Sequence, residues 1–346
     1  MRPIFLSILL LTIPSLTASP ANADTPDVKN TLVPNMVDIA ETTFQMGRAL
    51  SQKGESDELP RHPVTLSPYQ IGKYEITNSQ YVAVLNWALE KGYLSNTLFK
   101  PFTQATSDAG PSPHYRGRLL IVVSKSSDII FEHGTFKTVM RDGMYMDDHP
   151  VVDVTWYGAI AYANWLSEIQ GLTPCYSLTT FTPIDPRPNG YRLPTEAEWE
   201  RAAGWNNAGE EVTWHYAISS DAMTEHHGNF QLNNPLEKSG LDSYPYTSPI
   251  GYFDGSSPER KRAISPAGCF DMSGNVQEWC EDWFGAYKAE TQFDPTGFPK
   301  SPFKVVRGGA WNSMKNSCRT TNRGWTEPYN HYRSFGFRIA RSLPKE

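Results

Sequence analysis

The sequence predicts a single α+β domain with few helices and much loop. Three observations carry this. Short stretches of alternating apolar and polar residues recur along the chain, with only a few helical periods among them. Aromatic residues make up 12% of the chain, alongside 27 Pro and 25 Gly, a mixture in which large rings anchor irregular backbone. No linker-like stretch and no fixed-period repeat divides the 346 residues, which suffice for one sizeable core.

Taken in order, the first segment reads as a targeting signal. Arg2 supplies a positive start, Ile4 to Leu16 are apolar, and Ala21-Asn22-Ala23 fits a small-x-small cleavage site. Residues 1–23 are therefore expected to be a cleavable signal peptide, too short in its apolar part to span a bilayer comfortably. A periplasmic or secreted location follows, where disulfides can form. Cys175, Cys269, Cys280 and Cys318 allow three full pairings.

After a polar lead (24–35), "MVDIAETTFQMG" (Met36–Gly47) reads as strand, turn and strand. "HPVTLSPYQIGKYEIT" (His62–Thr77) alternates as a half-buried strand pair does. Thr77 or Asn78 caps a helix through Tyr81, Val84 and Trp87. About Gly92 to Asp147 reads as an insertion, with short strands in "RLLIVV" and "DIIFEHGTFKTV" and a hairpin turn at His133-Gly134. "HPVVDVTWYGAIAYANWLSEIQG" (His149–Gly171) gives a strand and a helix capped by Thr155, with Trp156, Ile160, Ala163 and Leu166 on its inner face. Thr195 and Glu198 form a Thr-x-x-Glu capping box for a helix ending near Gly204. From there to about Gly268 the chain is expected to be irregular, and the last third to be short strands and loops.

Composition excludes several functions. The net charge is −6 and there is no long basic run, so a phosphate-binding footprint is missing and no nucleic-acid partner is expected. The eight histidines include no His-x-x-x-His or His-Glu-x-x-His spacing, and no Cys-x-x-Cys occurs. No Gly-x-Ser-x-Gly elbow is present. "FDMSGNVQEWCEDW" (Phe270–Trp283) places Asp271 and Glu278 seven residues apart around Gly274 and Asn275. Carboxylates with inward carbonyls suit Ca²⁺. The same spacing also suits an ordinary acidic turn.

Eight segments in order, "MVDIAETTFQMG", "YEITNSQY", "HPVVDVTWYGAIAYANWLS", "YRLPTEAEWERAA", "GNVQEWCEDW", "VVRGGAWN", "CRTTNR" and "FGFRIAR", closely resemble the formylglycine-generating enzyme family, also called sulfatase-modifying factors. The resemblance covers about residues 36–341. It implies one compact loop-rich domain related to C-type lectins. It implies structural Ca²⁺ on Asp271 and Glu278 side chains with Gly274 and Val276 carbonyls. A second site falls on Asn229, Phe230, Gly251 and Phe253, without a carboxylate. Such ions would tie loops whose ordering few core contacts offset. The insertion at about 92–147 is expected to border the substrate groove.

The family's reaction oxidises a sulfatase cysteine to formylglycine, using two cysteines five residues apart that bind Cu(I). Here the second of these is Cys318, but Ser313 replaces the first and Ala310 replaces a serine. A serine hydroxyl is a poor Cu(I) ligand, so that pair cannot form a two-thiolate site. The family fold brings Cys280 toward the region, which leaves a Cys280–Cys318 copper pair, a Cys280–Cys318 disulfide or separate structural thiols. The disulfide or separate thiols are expected. Iron-dependent sulfoxide synthases of the same fold add a helical bundle with a His-x-x-x-His-x-Glu motif, which this chain lacks. Two readings follow. One is an exported divergent oxidase or maturation factor acting on a protein or peptide-like substrate. The other is a non-catalytic, calcium-stabilised binding or accessory protein.

Overall fold

The computed structural model describes residues 32–94, 100–101, 111–112, 114–124, 126–206, 215–218, 220, 222–231 and 246–344. The chain divides into two units, Met1–Val33 and Pro34–Glu346, and the second holds every element below. The expected signal peptide lies outside the described residues, as do parts of the insertion. Among the described residues no helix is long and apolar enough to cross a membrane.

The chain opens with β1 (Met36–Ile39), β2 (Thr42–Met46), β3 (His62–Leu66) and β4 (Tyr69–Gly72). These form a bent ribbon. β1 pairs antiparallel with β4 and β2 with β3. Ile39 stands opposite Tyr69 and Thr42 opposite Leu66, so the register runs on unbroken through the bend. The 62–72 stretch is therefore not paired with itself, as its alternation suggested, because both strands of the ribbon leave one sheet and enter another. Pro68, at the bend, lacks an N–H and gives only its carbonyl, to Leu343.

Then come α1 (Asn78–Glu90), β5 (Ile129–Glu132), β6 (Thr135–Thr138), α2 (Trp156–Ile169), β7 (Tyr191–Arg192), α3 (Glu196–Gly204), β8 (Gln277–Trp283), β9 (Gln292–Phe293), β10 (Lys304–Arg307), β11 (Gly324–Thr326), β12 (Phe335–Gly336) and β13 (Ala340–Ser342), with short two-residue ladders between. Three sheets result, in the orders β1-β4-β13-β7, β11-β10-β8-β12 and β9-β3-β2. The last strand thus closes the first sheet, and the only parallel pairs in these sheets are β8 with β12 and β9 with β3.

The β5–β6 hairpin forms with His133 at φ 51° and Gly134 at φ 81°, the two positive dihedrals that a tight two-residue turn demands. It packs on α1 through the Asn86 side chain, which bonds both backbone groups of Phe136. "RLLIVV" forms a strand only at Arg118–Leu119. The rest lies along residues 153–155, with Val122 N–H on Asp153 O and Thr155 N–H on Leu120 O.

The caps are as the sequence implies. Thr77 and Gln80 form a reciprocal box, Thr155 accepts from Gly158 N–H, and Thr195 and Glu198 form a second box. The faces are not. α2 is buried all round except at Glu168, rather than along one stripe. α3 is buried at every residue, charged ones included. Burying ionised groups is costly unless each is paired. The three glutamates are paired, whereas Arg201 donates to the carbonyls of Trp205 and Asn206. Arg192 grips Glu198 with two bonds of 2.6 Å, Arg307 reaches Glu196 at 2.6 Å and Glu200 at 2.7 Å, and Arg323 takes Glu196 at 2.7 and 2.8 Å. These charges fix where α3 sits against β10, with Phe44, Met46, Trp199, Ala202 and Val305 in the shared core.

Candidate functional site

Gly308 to Cys318 leave β10 as a tight loop. Gly308 has φ 94° and Gly309 φ 67°. A Cβ at Gly309 would lie 2.7 Å from Cys318 Sγ, so the backbone needs both the left-handed conformation and the missing side chain. Ser313 Oγ accepts from Ala310 N–H at 2.9 Å, and Ser313 N–H donates to Ala310 O at 2.8 Å. The serine hydroxyl is thus spent on closing its own turn.

Cys318 is fully buried among Tyr216, Ile218, Met223 and Phe230. Its thiol reaches only Met314 O, at 3.8 Å, and burial pushes it up to about 12. Cys280 lies in the other core cluster, beside Trp199 and Val305, and burial raises its thiol well above the ordinary range. The Cys280–Cys318 disulfide expected as one outcome is not formed. The two side chains belong to different clusters, and all four cysteines are free and buried. Cys280 and Cys318 stand as two separate buried thiols.

The acid loop supports this loop from below. Asp271, Gly274 and Asn275 all have left-handed backbone, at φ 60°, 103° and 63°. Gly274 N–H donates to Gly308 O and Trp311 N–H to Asn275 O. Asn275 N–H donates to Asn229 O, and a Cβ at Gly274 would lie 2.5 Å from that same oxygen. Asp271 Oδ2 accepts from Gly251 N–H at 2.6 Å. The two sets of residues suggested for calcium therefore meet, through Asn229–Asn275 and Gly251–Asp271.

Glu278 is not a free ligand. Arg338 binds both its oxygens, at 2.6 and 2.7 Å, and Trp199 Nε1–H donates to Oε2 at 2.9 Å. Three of its four lone-pair directions are taken, which leaves one on Oε1. Phe253 O already accepts from Ala263 N–H, and Phe230 packs in the core cluster around Cys318. Val276 N–H donates to Glu75 Oε1 at 3.3 Å. Glu75 was not singled out from the sequence, and no local signal marks it. It is buried beside this loop and also accepts from Asn275 Nδ2 at 2.8 Å. Burial, then Asp271 and Glu278, push Glu75 well up, and burial lifts Asp271 to about 6 against the Gly251 bond and Arg338.

Three buried carboxylates thus share one guanidinium, and Asn229 Oδ1 is buried with no partner among the described residues. Among those residues no three His, Cys, Asp or Glu side chains converge as a metal cluster. A cation here would rest on carbonyl and amide oxygens with one or two carboxylates, a donor set that suits a hard ion.

Beside the loop, the Trp311 ring stacks on Tyr246 with centroids 4.5 Å apart, and its Nε1–H donates to Arg333 O. A small cleft opens next to Tyr246 and Arg333, lined also by Ser126, Asp128, Asp153 and Thr247. Burial lifts Asp128 to about 6, with Arg141 pulling it down. Asp153, at φ 58°, faces His331 at 3.7 Å. Ser126 and Asp128 come from the inserted segment.

The fold and this loop agree with a known family. The sulfatase-modifying factor enzyme 1-like domain matches residues 21–343. The chain belongs to the sulfatase-modifying factor family. It is similar to the formylglycine-generating enzyme of Thermomonospora curvata, 27% identical over 88% of this chain and 92% of that one. The chaperone protein LppX of Paenibacillus barcinonensis is 25% identical over 81% and 82%. The serine/threonine-protein kinase pkn1 of Chlamydia pneumoniae is 28% identical over 90% of this chain, which spans only 38% of that protein's length. Among solved structures, variable protein 1 of Treponema denticola aligns at TM-score 0.57 with 24% identity, over 89% and 95% of the two chains. PvdO from Pseudomonas aeruginosa aligns at 0.55 with 22% identity, over 91% and 97%. These two share the fold with this sulfatase-modifying factor family member.

Proposed function

We propose that this sulfatase-modifying factor family member is an exported binding or maturation factor for a protein or peptide-like partner, and that it does not oxidise cysteine through copper. The burial of Cys318 carries the reading. Cys318 is buried and packed against Gly309, with no second thiol beside it for a two-thiolate site. Ser313, where a second thiolate would stand, holds its own turn. The residues do not fit a Cu(I) pair. The stacked Trp311–Tyr246 face and the cleft beside it provide a recognition surface instead. The name of the LppX relative, a chaperone, supports an accessory role. Given Cu(I) and a Cys-x-Pro-x-Arg peptide, the purified protein is expected to yield no aldehyde by mass spectrometry. Aldehyde product would overturn the proposal.

Structural calcium belongs to the same reading. The charge deficit around Glu75, Asp271 and Glu278, and the unpaired Asn229 Oδ1, support it. Asp271, Asn229 and the carbonyls of Gly274 and Val276 would hold the ion, with Glu278 limited to one oxygen. An ion that binds only the folded chain at a hundred times its Kd adds about 2.7 kcal/mol. Chelator is therefore expected to lower the melting temperature by several degrees and Ca²⁺ to restore it. An unchanged melting temperature would remove calcium from the account.

A further inference from the structure

A second cleft lies on the face of the domain where β8, α3 and β9 meet, and it shares no lining residue with the cleft beside Trp311. Its walls include Trp283, Tyr287, Phe298, His62, Asp282 and Arg323. Glu196 also lines it but is neutralised. Its oxygens take Arg307, Arg323 and the Tyr287 hydroxyl. Arg323 gives its remaining bonds to Asp57 O and Gly285 O. His62 spends Nδ1–H on Pro60 O.

Asp282 is different. It is only 3% exposed, and Oδ2 accepts from Glu196 N–H at 2.8 Å. Oδ1 lies beside Gly297 on the cleft wall and accepts no hydrogen bond among the described residues. A Cβ at Gly297 would come within 2.9 Å of it. Oδ1 is not among the buried unpaired atoms of the described residues, so it is open to the cleft.

The Tyr287 ring already carries the Arg323 guanidinium, 3.9 Å from its centroid, so Trp283 and Phe298 are the rings left to a ligand cation. Trp283 holds Lys304 and still lines the cleft: Nζ sits 3.7 Å from its ring centroid and 3.9 Å from that of Trp156, and donates to Glu281 O at 2.7 Å. Phe298 is 47% exposed, and its ring lies so close over Gly285 that a Cβ there would be 2.6 Å away.

We propose that this cleft binds an organic ammonium group, with Asp282 Oδ1 as its counter-charge and Trp283 and Phe298 as its aromatic wall. The site stands apart from whatever the 308–318 loop does. Burial, then the Glu196 charge, push Asp282 well above the ordinary carboxylate range, while the Glu196 N–H bond and Lys304 pull it down. Glu281 raises it from the neighbouring position, and exposed Lys288 stands at the cleft rim. An ammonium ligand reverses the balance, so binding releases a proton from Asp282 and tightens as pH rises.

The test is calorimetric titration of the full chain with n-butylammonium and with tetramethylammonium, in buffers of different ionisation heat, with 1-butanol as the neutral control. Saturable ammonium binding with buffer-dependent heat is expected, at least about tenfold tighter than butanol. The stronger of the two cations separates a lysine-like from a choline-like ligand. Asp282→Asn is expected to weaken binding about tenfold and remove the buffer dependence. Phe298→Ala, at an exposed position, is expected to weaken it severalfold in a fully folded protein. Absence of saturable ammonium binding, equal binding of butanol, or binding untouched by Phe298→Ala would each overturn the proposal.

Discussion

Arg338→Met is expected to cost about 3–5 kcal/mol, because it strands buried carboxylates that no other guanidinium reaches. Arg338 is fully buried and makes four hydrogen bonds, two to Glu278 and one each to Gly72 O and Phe270 O. It is the positive charge closest to Glu278 and also bears on Glu75 and Asp271. Its loss leaves two carbonyls without this donor and Glu278 with only the Trp199 Nε1–H bond among the described residues. Urea unfolding at about pH 7 measures the deficit. Adding Glu278→Leu is expected to recover more than half of it, since removing both members of a buried pair is far milder than removing one. A single variant within about 1 kcal/mol of the parent would show that the acid loop does not depend on this pair.

What the sequence discloses here follows the reach of each interaction. Thr77, Thr155 and Thr195 were legible as caps because each bonds a backbone N–H only three residues on. His133-Gly134 was legible because its turn needs two positive φ values and little else. The ribbon was not, because pairing 36–39 with 69–72 depends on a bend shared by two distant strands. The burial of α3 was also hidden. Glu196 and Glu200 are paired by Arg307 and Arg323, more than 100 residues away, and only Glu198 has a near partner, Arg192. The loop around Ser313 and Cys318 could be placed from its glycines, whereas the fate of its thiol depended on which core it entered. Glu75 stayed invisible for the same reason, since its partner Asn275 is 200 residues along the chain.

Acid is expected to unfold the protein steeply below about pH 4.5, through Glu58 and Glu196. Arg319 binds both oxygens of Glu58, at 2.8 and 2.6 Å, and Thr321 donates to it as well. Burial raises both carboxyls, but these partners together with Arg307 and Arg323 on Glu196 outweigh it and hold each at about 2. A depressed folded value means that the unfolded chain takes up protons first. The stability is therefore fully present above the ordinary 4.5 and is lost as pH falls through about 2. At about 1.4 kcal/mol per pH unit, each group carries about 3 kcal/mol, and together they approach the whole stability of an ordinary domain.

Among the groups that act at milder pH, Asp128 and His149 oppose each other. Burial holds Asp128 at about 6, so its folded form gains protons first and stability rises as pH falls toward 3.8. Burial holds His149 at about 4, so its unfolded form gains protons first and stability falls below 6.5. Asp271 at about 6, and Glu75 and Asp282, which burial also pushes up, act in the same direction as Asp128, so stability is expected to rise gently as pH falls from about 7 toward 4.5. Urea midpoints across this range, followed by tryptophan fluorescence, give the profile. Glu58→Gln is expected to be weaker than the parent by about 3 kcal/mol near pH 7 and to converge with it near pH 2, where the parent has lost the same charge. Parallel profiles for the two proteins, with no convergence in acid, would mean that the Glu58–Arg319 pair does not set the acid limit of the fold.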